Sequence, residues 1–436
     1  MRDIAVTLLI FGFVPIILRY PWIGVLVFVW LSLFNPHKFA WGFAQDFPFV
    51  MVIAATTVVS MAFHIKRVNF PLDSITVHLV LLLVWILVTT LFAFDPAAAY
   101  PRWLEVSKAL FFVLVAASLV HTKKQVEALL WVLVLSLAYY GIKGGIFTLV
   151  VGGSEKVYGP PGSSYLTDNN AIAVALVMVI PLMYHLASMS SSRWIRYGMY
   201  GGVCLTGIAV LGSQSRGAFI AVLAMLAFFW LKNRRKLILG AVLLLMLPLA
   251  IGVMSERWEN RIKTIETYEQ DSSANMRLNA WGTAWNIARD RPIVGGGFEL
   301  ATKEVYERYA PDPGFPPQVA HSIYFQMLGE HGFVGLFLFL SLGAATWRLA
   351  RRIIRDSRGK PEDAWRDNLA RAIQVSLVGF AVGGAFVSIA YWEVQYYEMV
   401  ILAAAYRLSR ASESEPKLGF GEKRRLTSRV AMQRQS

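Results

Sequence analysis

Arg216, Arg277 and His321 are the residues whose types and positions best suit group-transfer chemistry. Arg216 follows the turn 213–215 and opens an apolar window, so it would stand at a helix N-terminus, where free N–H groups and the helix dipole attract anions. Arg277 lies near the start of a second predicted helix. Because a guanidinium binds phosphate oxygens in pairs, two arginines facing one pocket would match a diphosphate and neutralise its charge without a metal ion.

His321 is the candidate general base. It follows the proline-rich turn 311–317 and opens another apolar window. An imidazole, with a usual pKa of about 6.5, can accept a proton at neutral pH. Glu330 and His331 lie about two to three turns further along the same predicted helix, and we interpret them as buried packing or hydrogen-bonding partners. These two residues are also supporting candidates for the site, together with Ser215 and Tyr324.

The chain that must hold these residues is too apolar for a soluble protein. Of its 436 residues, 56% are hydrophobic and 16% are charged, whereas soluble proteins are about 25% charged. A helix needs roughly 17 to 25 apolar residues to cross about 30 Å of hydrocarbon. Because unpaired strands cannot lie in lipid, we predict an all-α polytopic membrane protein with about twelve transmembrane helices. The apolar windows are 3–18, 22–34, 47–65, 74–94, 103–120, 126–151, 169–187, 197–212, 217–231, 236–254, 322–346, 372–390 and 393–407.

The first two windows are short and are separated by Arg19-Tyr20-Pro21, so we expect them to form a single crossing or a shallow hairpin. We also expect the first window to be retained rather than cleaved as a signal peptide. Asp3 accompanies Arg2, no clear small-residue cleavage site follows, and more windows come after.

The distribution of charge predicts the orientation of the chain. The net charge is +14, and the basic residues are concentrated in short connecting loops such as 232–236 and 348–371. The positive-inside rule places these loops in the cytoplasm and accounts for the charge, so nucleic acid is not a predicted partner. Because successive spans cross the membrane in opposite directions, we predict that the loops 152–168 and 213–216 lie on the outer side of the membrane. The predicted organisation is a transmembrane core over 1–254, an outer loop with short interfacial helices over 255–320, a second part of the core over 321–407, and a mobile cytoplasmic tail over 408–436.

Each candidate residue also has an ordinary structural interpretation. Arg216 could place its charge at the membrane interface, Arg277 could be a solvated surface arginine, and His321 could be a helix-entry residue. Arg216, however, lies on the side where basic residues are scarce, and this favours a functional role. Elsewhere, Glu105 and Lys108 are spaced three apart on one predicted helix face, which indicates a structural ion pair.

The segments that are predicted to lie outside the membrane contain local sequence patterns that indicate helices and turns. The spacing of apolar residues predicts a helix over 274–290, with Trp281 and Trp285 on one face along the membrane interface, followed by a short helix over 299–309. The turn-rich loop 152–170 would be either a connector or the outer lip of a site.

Several kinds of chemistry have no supporting motif in the sequence. The single cysteine, Cys204, allows no disulfide and no cysteine-based metal site within one chain. The sequence contains no Asp-x-Asp triplet, no His-Glu-x-x-His, no phosphate-binding Gly-x-x-x-x-Gly-Lys-Ser/Thr loop and no Gly-x-Ser-x-Gly elbow. We therefore predict neither a metal nor another cofactor.

Three elements together resemble the O-antigen ligase and polymerase superfamily in order, spacing and sidedness: Ser213-Gln-Ser-Arg216-Gly-Ala, Arg277, and His321-Ser-Ile-Tyr-Phe-Gln-Met-Leu-Gly-Glu330-His-Gly332-Phe-Val-Gly335. The similarity is greatest over 169–335. The family's second motif usually reads His-Asn, where this chain has His321-Ser322. The N-terminal third is similar to the branch of these ligases that accompanies exosortase systems.

The resemblance implies a GT-C-like membrane glycosyltransferase in the bacterial inner membrane, with its active site facing the periplasm. A finished polysaccharide would pass from undecaprenyl diphosphate to a hydroxyl of the lipid A-core oligosaccharide, with inversion and without metal or nucleotide. Arg216 and Arg277 would hold the diphosphate of the donor, and His321 would activate the acceptor hydroxyl. The lipid tail of the donor would lie among membrane lipids between the helices.

Other functions remain open at this point. An O-antigen polymerase and a protein O-oligosaccharyltransferase differ from the ligase in acceptor and not in core chemistry. A transporter of lipid-linked glycans would also have many spans with intramembrane charges. Paired repeats with interrupted helices, which are typical of transporters, are not apparent in the sequence, and the candidate residues cluster at the outer rim instead of the bilayer midplane.

Overall fold

A computed structural model describes residues 1–160, 165–232 and 272–414 of the chain, and all regular structure in these ranges is helical. The predicted all-α class is therefore confirmed for the described residues. The α-helices in these ranges are α1 (Arg2–Gly12), α2 (Val14–Arg19), α3 (Pro21–Phe34), α4 (Phe49–Phe63), α5 (Ser74–Leu91), α6 (Pro96–Leu119), α7 (Lys123–Val150), α8 (Asn169–Met189), α9 (Arg193–Gly212), α10 (Arg216–Lys232), α11 (Ser272–Asp290), α12 (Lys303–Tyr309), α13 (Ile323–Asp356), α14 (Ala364–Gly383) and α15 (Glu393–Ser414). Short 3-10 turns occupy Pro36–Phe39, Phe43–Gln45, Ile65–Arg67, Pro361–Asp363 and Gly384–Phe386.

Several of these helices can cross a bilayer by length and composition. Among the described residues, five segments do so: Ser74–Leu91, Lys123–Val150, Asn169–Met189, Ile323–Asp356 and Pro361–Phe386. Two shorter apolar helices, α3 and α4, accompany them. The chain is therefore a multi-pass helical membrane protein, and the count of about twelve crossings stays a prediction. The predicted span 236–254, the loop residues 255–271 and the tail residues 415–436 lie outside the described residues.

Helix α8 is the centre of the bundle. It packs against α7, α9, α10 and α14, and 78% of its apolar window is buried within the protein. Small residues allow the neighbouring helices to approach closely, as is usual in membrane proteins. On α7, a Cβ added at Gly145 would lie 2.1 Å from the backbone oxygen of Leu205 on α9, so only glycine fits between these two backbones.

Helix α13 is kinked at Gly332, whose φ of 66° and ψ of −171° are not helical and are accessible to glycine at little cost. The kink releases backbone carbonyls, and two glycines that follow α11 supply donors for them. The N–H of Gly296 donates to the oxygen of Gly329 at 2.8 Å. The N–H of Gly297 donates to the oxygen of Glu330 at 2.9 Å. The loop after α11 is thereby fixed to the membrane helix.

The outer loop contains the two predicted helices, with one change of boundary. The helix predicted over 274–290 is confirmed as α11. The second was predicted to begin at 299, but α12 begins at Lys303, because Glu299 has a left-handed φ of 61° and Thr302 caps the helix by accepting from Val305 N–H at 3.3 Å.

The predicted ion pair between Glu105 and Lys108 is replaced by a different one. Arg102, one turn before Glu105 on α6, places a guanidinium nitrogen 2.6 Å from its carboxylate. Both candidate partners stand three residues from Glu105, so the sequence spacing alone could not choose between them. Lys108 is exposed.

Basic residues collect at the end of the bundle opposite to the starts of α10 and α13. Lys232 at the end of α10, Arg352 near the end of α13 and Arg371 on α14 line one cavity there. Helix α13 has 34 residues, about 50 Å at 1.5 Å per residue, so it connects this basic end to the other end of the bundle.

We expect Gly145→Ala to destabilise the protein by about 1–3 kcal/mol, because the added methyl overpacks the contact between α7 and α9. Gly198→Ala, on α9 with no atom within 4 Å of the new Cβ, is the matched control and should cause no loss. Thermal unfolding of the detergent-purified protein measures both effects. Equal melting temperatures for Gly145→Ala and wild type would contradict the close packing described above.

Candidate active site

Arg216 is the first residue of α10 and is partly exposed. The turn before it is built by its own serines: the N–H of Ser215 donates to the hydroxyl of Ser213 at 3.2 Å, and the hydroxyl of Ser215 accepts from Ala218 N–H at 3.4 Å. Gln214 between them has a left-handed φ of 55°. Ser215 thus caps the helix, and Arg216 stands at its positive end.

The loop between α7 and α8 holds this turn in place. The side-chain amide of Asn169 donates to the backbone oxygen of Ser213 at 2.8 Å, and that of Gln214 donates to Gly153 at 3.0 Å. The backbone N–H of Val157 donates to the oxygen of Gly212 at 3.1 Å. These bonds bring the starts of α8 and α10 to the same end of the bundle.

His321 is held by α11. The indole N–H of Trp281 donates to the backbone oxygen of Ala320 at 2.7 Å, and the Trp281 ring stacks on Phe325 with 5.1 Å between ring centroids. Trp281 therefore packs against the start of α13. Arg277 lies one turn earlier on the same face of α11. The helix thus carries Arg277 towards His321.

Charges at this end act on His321 directly. Burial lowers the pKa of the His321 imidazole below its usual value, the positive charge of Arg277 lowers it further, and the negative charge of Asp168 raises it. Arg277 and Asp168 are therefore both within electrostatic reach of His321. Asp168 also caps α8, where its carboxylate accepts from Asn170 N–H at 2.7 Å.

Arg216 and His321 flank one short 3-10 turn, Gly384–Phe386. A Cβ built at Gly217, next to Arg216, would lie only 2.7 Å from the Cβ of Phe386. On the other side, a Cβ built at Gly384 would lie 2.6 Å from Ile323, two residues after His321. The structure thus gathers the starts of α8, α10, α11 and α13 around the joint between α14 and α15.

Tyr324 and the residues deeper in α13 have structural contacts. The hydroxyl of Tyr324 donates to the backbone oxygen of Ala381 at 2.7 Å and ties α13 to α14. His331 is fully buried, with Nδ1 2.6 Å from the hydroxyl of Thr89 and Nε2 2.6 Å from the hydroxyl of Tyr391. The Tyr391 hydroxyl also contacts the carboxylate of Glu330.

Three of these contributors were not predicted as site residues. Asp168 lies in the loop 152–170, which the sequence left open as a connector or the outer lip of a site, and nothing local indicated that its charge would reach His321. Thr89 and Tyr391 lie within apolar stretches far from His331 in the chain, so no sequence signal joined them. In the ranges that the structure describes, no group of three or more His, Cys, Asp or Glu side chains could hold a metal ion.

The fold and this cluster define a class: a multi-pass helical membrane protein with two arginines, an aspartate and a histidine gathered at helix starts on one end of its bundle. Residues 201–340, which include Arg216, Arg277 and His321, match the family described as O-Antigen ligase. The match supports membership of the O-antigen ligase superfamily, which the motifs predicted. Residues 1–191 match a family of unknown function (DUF5935). No curated protein matches the chain.

Two substitutions should move the pKa of His321 in opposite directions. Asp168→Asn removes the charge that raises this pKa, so the pKa should fall further, while asparagine still caps α8. Arg277→Gln removes the charge that lowers it, so the pKa should rise towards about 6.5. An NMR titration of the labelled imidazoles measures both shifts, with His321→Gln identifying the resonance.

Asp95→Asn is the control, because Asp95 caps α6 in the same way and is not one of the charges acting on His321. A His321 pKa that stays constant in both Asp168→Asn and Arg277→Gln would show that the three residues do not share one site.

Proposed function

We propose that this protein is an O-antigen ligase, which transfers a polysaccharide en bloc from undecaprenyl diphosphate to a hydroxyl of the lipid A-core oligosaccharide. The observation that carries the proposal is the juxtaposition of Arg277 and His321 inside the segment that matches the O-Antigen ligase family. Membership of that superfamily implies lipid-linked glycan and lipid acceptor substrates, and the choice among acceptors is the step that we add.

The proposed reaction is a single displacement at the anomeric carbon of the donor. The acceptor oxygen forms the new glycosidic bond, the bond from the anomeric carbon to the diphosphate breaks, and undecaprenyl diphosphate leaves with the bonding electrons. The proton of the acceptor hydroxyl passes to the imidazole of His321. Attack opposite to the leaving group inverts the anomeric configuration.

The two arginines supply the charge that this displacement needs. Arg216 and Arg277 would bind the diphosphate and stabilise the negative charge that grows on it as the bond breaks. Arg277 has a second effect, because its charge adds to burial, the larger cause, in lowering the pKa of His321 and so favours the unprotonated imidazole. Arg277, which binds the leaving diphosphate, therefore also supports the role of His321 as the base.

The positions of the basic residues support a periplasmic site. Lys232, Arg352 and Arg371 lie together at the other end of the bundle, and the positive-inside rule assigns that end to the cytoplasm. The ends of α8, α10 and α13 that carry the candidate residues would then face the periplasm of an inner-membrane protein. The donor lipid would reach them sideways from the bilayer.

His321→Ala should lower the transfer rate by roughly 10²- to 10⁴-fold, which is what a positioned general base contributes. Arg216→Ala and Arg277→Ala should impair use of the donor severely, because each removes a diphosphate contact. The assay combines detergent-purified protein, lipid-linked glycan and acceptor, and measures the glycosylated product without added metal or nucleotide.

Matched controls exist for each of these variants. Arg193→Ala changes an exposed arginine that also begins a helix, and Arg289→Ala changes an exposed arginine on the same helix as Arg277. His64→Ala changes a histidine at the end of α4. All three should retain transfer. Near-wild-type transfer by a folded His321→Ala protein would refute the assignment of His321 as the base.

An acceptor panel tests the ligase assignment itself. We expect product with lipid A-core oligosaccharide and none with a second lipid-linked glycan or an acceptor protein. Product from the second lipid-linked glycan would instead identify a polymerase, and product on protein would identify an oligosaccharyltransferase. Absence of any covalent product in detergent, with all three acceptors supplied, would favour a transporter.

A further inference from the structure

A cavity of about 260 Å³ lies beside the candidate active site. It is enclosed by α11, the segment 298–301, the residues just before His321, and α13. The polar residues that line it include Arg102, Glu299, Gln318, Gln326, Glu330 and Ser388. None of them has a role in the displacement proposed above.

The cavity continues directly from the cluster around His321. Val319 and Ala320, which line the cavity, immediately precede His321 in the chain. On α11, Ala280 and Ala284 line it too, and they lie three and seven residues after Arg277, on the same helix face. A molecule in this cavity would therefore lie between the face of α11 and the start of α13, next to the imidazole.

Two residues that line the cavity each have a buried polar atom with no hydrogen-bond partner within the described part of the chain. These atoms are Nε2 of Gln318 and the hydroxyl oxygen of Ser388, and both are buried from solvent. Buried polar groups in folded proteins are almost always paired, so each of these atoms requires explanation. One donates through an amide and the other both donates and accepts, which suits a ligand rich in hydroxyl groups.

The charge of the cavity disfavours a diphosphate. Glu299 contributes a carboxylate, and the one cation among the described residues of the lining, Arg102, is already paired with Glu105 at 2.6 Å and lies over the ring of Tyr165 at 4.7 Å. Carboxylates accept hydrogen bonds from hydroxyl groups and repel phosphates. Glu299 also has a left-handed φ of 61°, a strained conformation that is typical of functional positions in proteins.

Apolar surfaces complete the cavity. Phe298, Phe325 and the ring of Tyr306 line it alongside the polar groups. Aromatic walls with a few placed polar groups are the usual composition of small-ligand sites. The volume is slightly below the ~300 Å³ at which sites for drug-sized ligands begin, so it suits one sugar ring and not a longer saccharide.

We propose that this cavity binds a single pyranose ring through its hydroxyl groups and thereby holds the reacting sugar beside His321. This inference rests on the proposed glycosyl transfer and adds the place where a sugar is recognised. The ring belongs to the acceptor if the acceptor oligosaccharide enters the cavity, and to the donor if the first sugar on the diphosphate does. Both sources share the same chemistry of recognition.

The test measures sugar binding without catalysis. Detergent-purified full-length protein is mixed with lipid-free core oligosaccharide, and affinity is measured by calorimetry or saturation-transfer NMR. A second arm uses the free glycan released from the donor. Wild type should bind one of the two ligands, and Ser388→Ala and Glu330→Gln should each weaken that binding about tenfold.

The variants separate recognition from structure. The Ser388 hydroxyl has no partner among the described residues, so Ser388→Ala should leave the melting temperature unchanged while weakening binding. Glu330→Gln keeps the shape of the side chain. Glu307→Gln, an exposed carboxylate on α12, is the control and should bind as wild type does. His321→Ala should also retain binding, because the imidazole does not line the cavity.

The outcomes distinguish this inference from the proposed function. Binding of either glycan that depends on Ser388 and Glu330 would support the cavity as a sugar site even if no transfer were observed. Transfer activity together with binding that is unaffected by both variants would overturn the cavity assignment alone. No binding of either glycan by the folded wild-type protein would overturn it as well.

Discussion

The hydrogen bonds between the glycine run 295–297 and the kinked turn of α13 are the interaction on which the arrangement of the site depends. A continuous helix would use its own carbonyls and offer no attachment point. The kink at Gly332 releases the carbonyls of Gly329 and Glu330, and the glycine run pairs with them at 2.8 and 2.9 Å. The loop after α11 is thus joined to a membrane-embedded helix by main-chain bonds that require no particular side chain.

This attachment is what brings a loop arginine to a membrane histidine. Helix α11 ends shortly before the glycine run, so fixing that run also fixes the direction of the helix. Trp281 completes the fit through its bond to Ala320 and its stacking on Phe325. Arg277 and His321, 44 positions apart in the chain, then share one electrostatic environment with Asp168. The packing of α11 against the start of α13 and the electrostatic effect of Arg277 on His321 both follow from the attachment of this loop to α13.

Much of the fold was predictable because long runs of apolar residues in the sequence indicate membrane helices. The all-α class followed from the windows, and α11 followed from its periodicity. Arg216 and His321 were identifiable as candidates because they immediately precede apolar windows, and the loop helix indicated Arg277. These inferences need only local sequence, residue type and the sidedness of charge.

The remaining features depend on contacts that local sequence does not encode. The later start of α12 follows from the left-handed backbone of Glu299, which no spacing rule predicts. Glu105 had two equally spaced cations, and tertiary surroundings favoured Arg102. The effect of the Asp168 charge on the pKa of His321 requires segments from different parts of the chain to meet in space. The same is true of the cavity that Ser388 helps to line.

The short turn Gly384–Phe386 carries a consequence for biogenesis. It contacts the residues beside Arg216 and His321, yet it is encoded after Arg216, Arg277 and His321 themselves. A nascent chain therefore cannot assemble this arrangement until translation has passed residue 386 and the last helices have inserted. The activity proposed for this site would therefore be absent during most of the synthesis of the chain and would appear only when the bundle is complete.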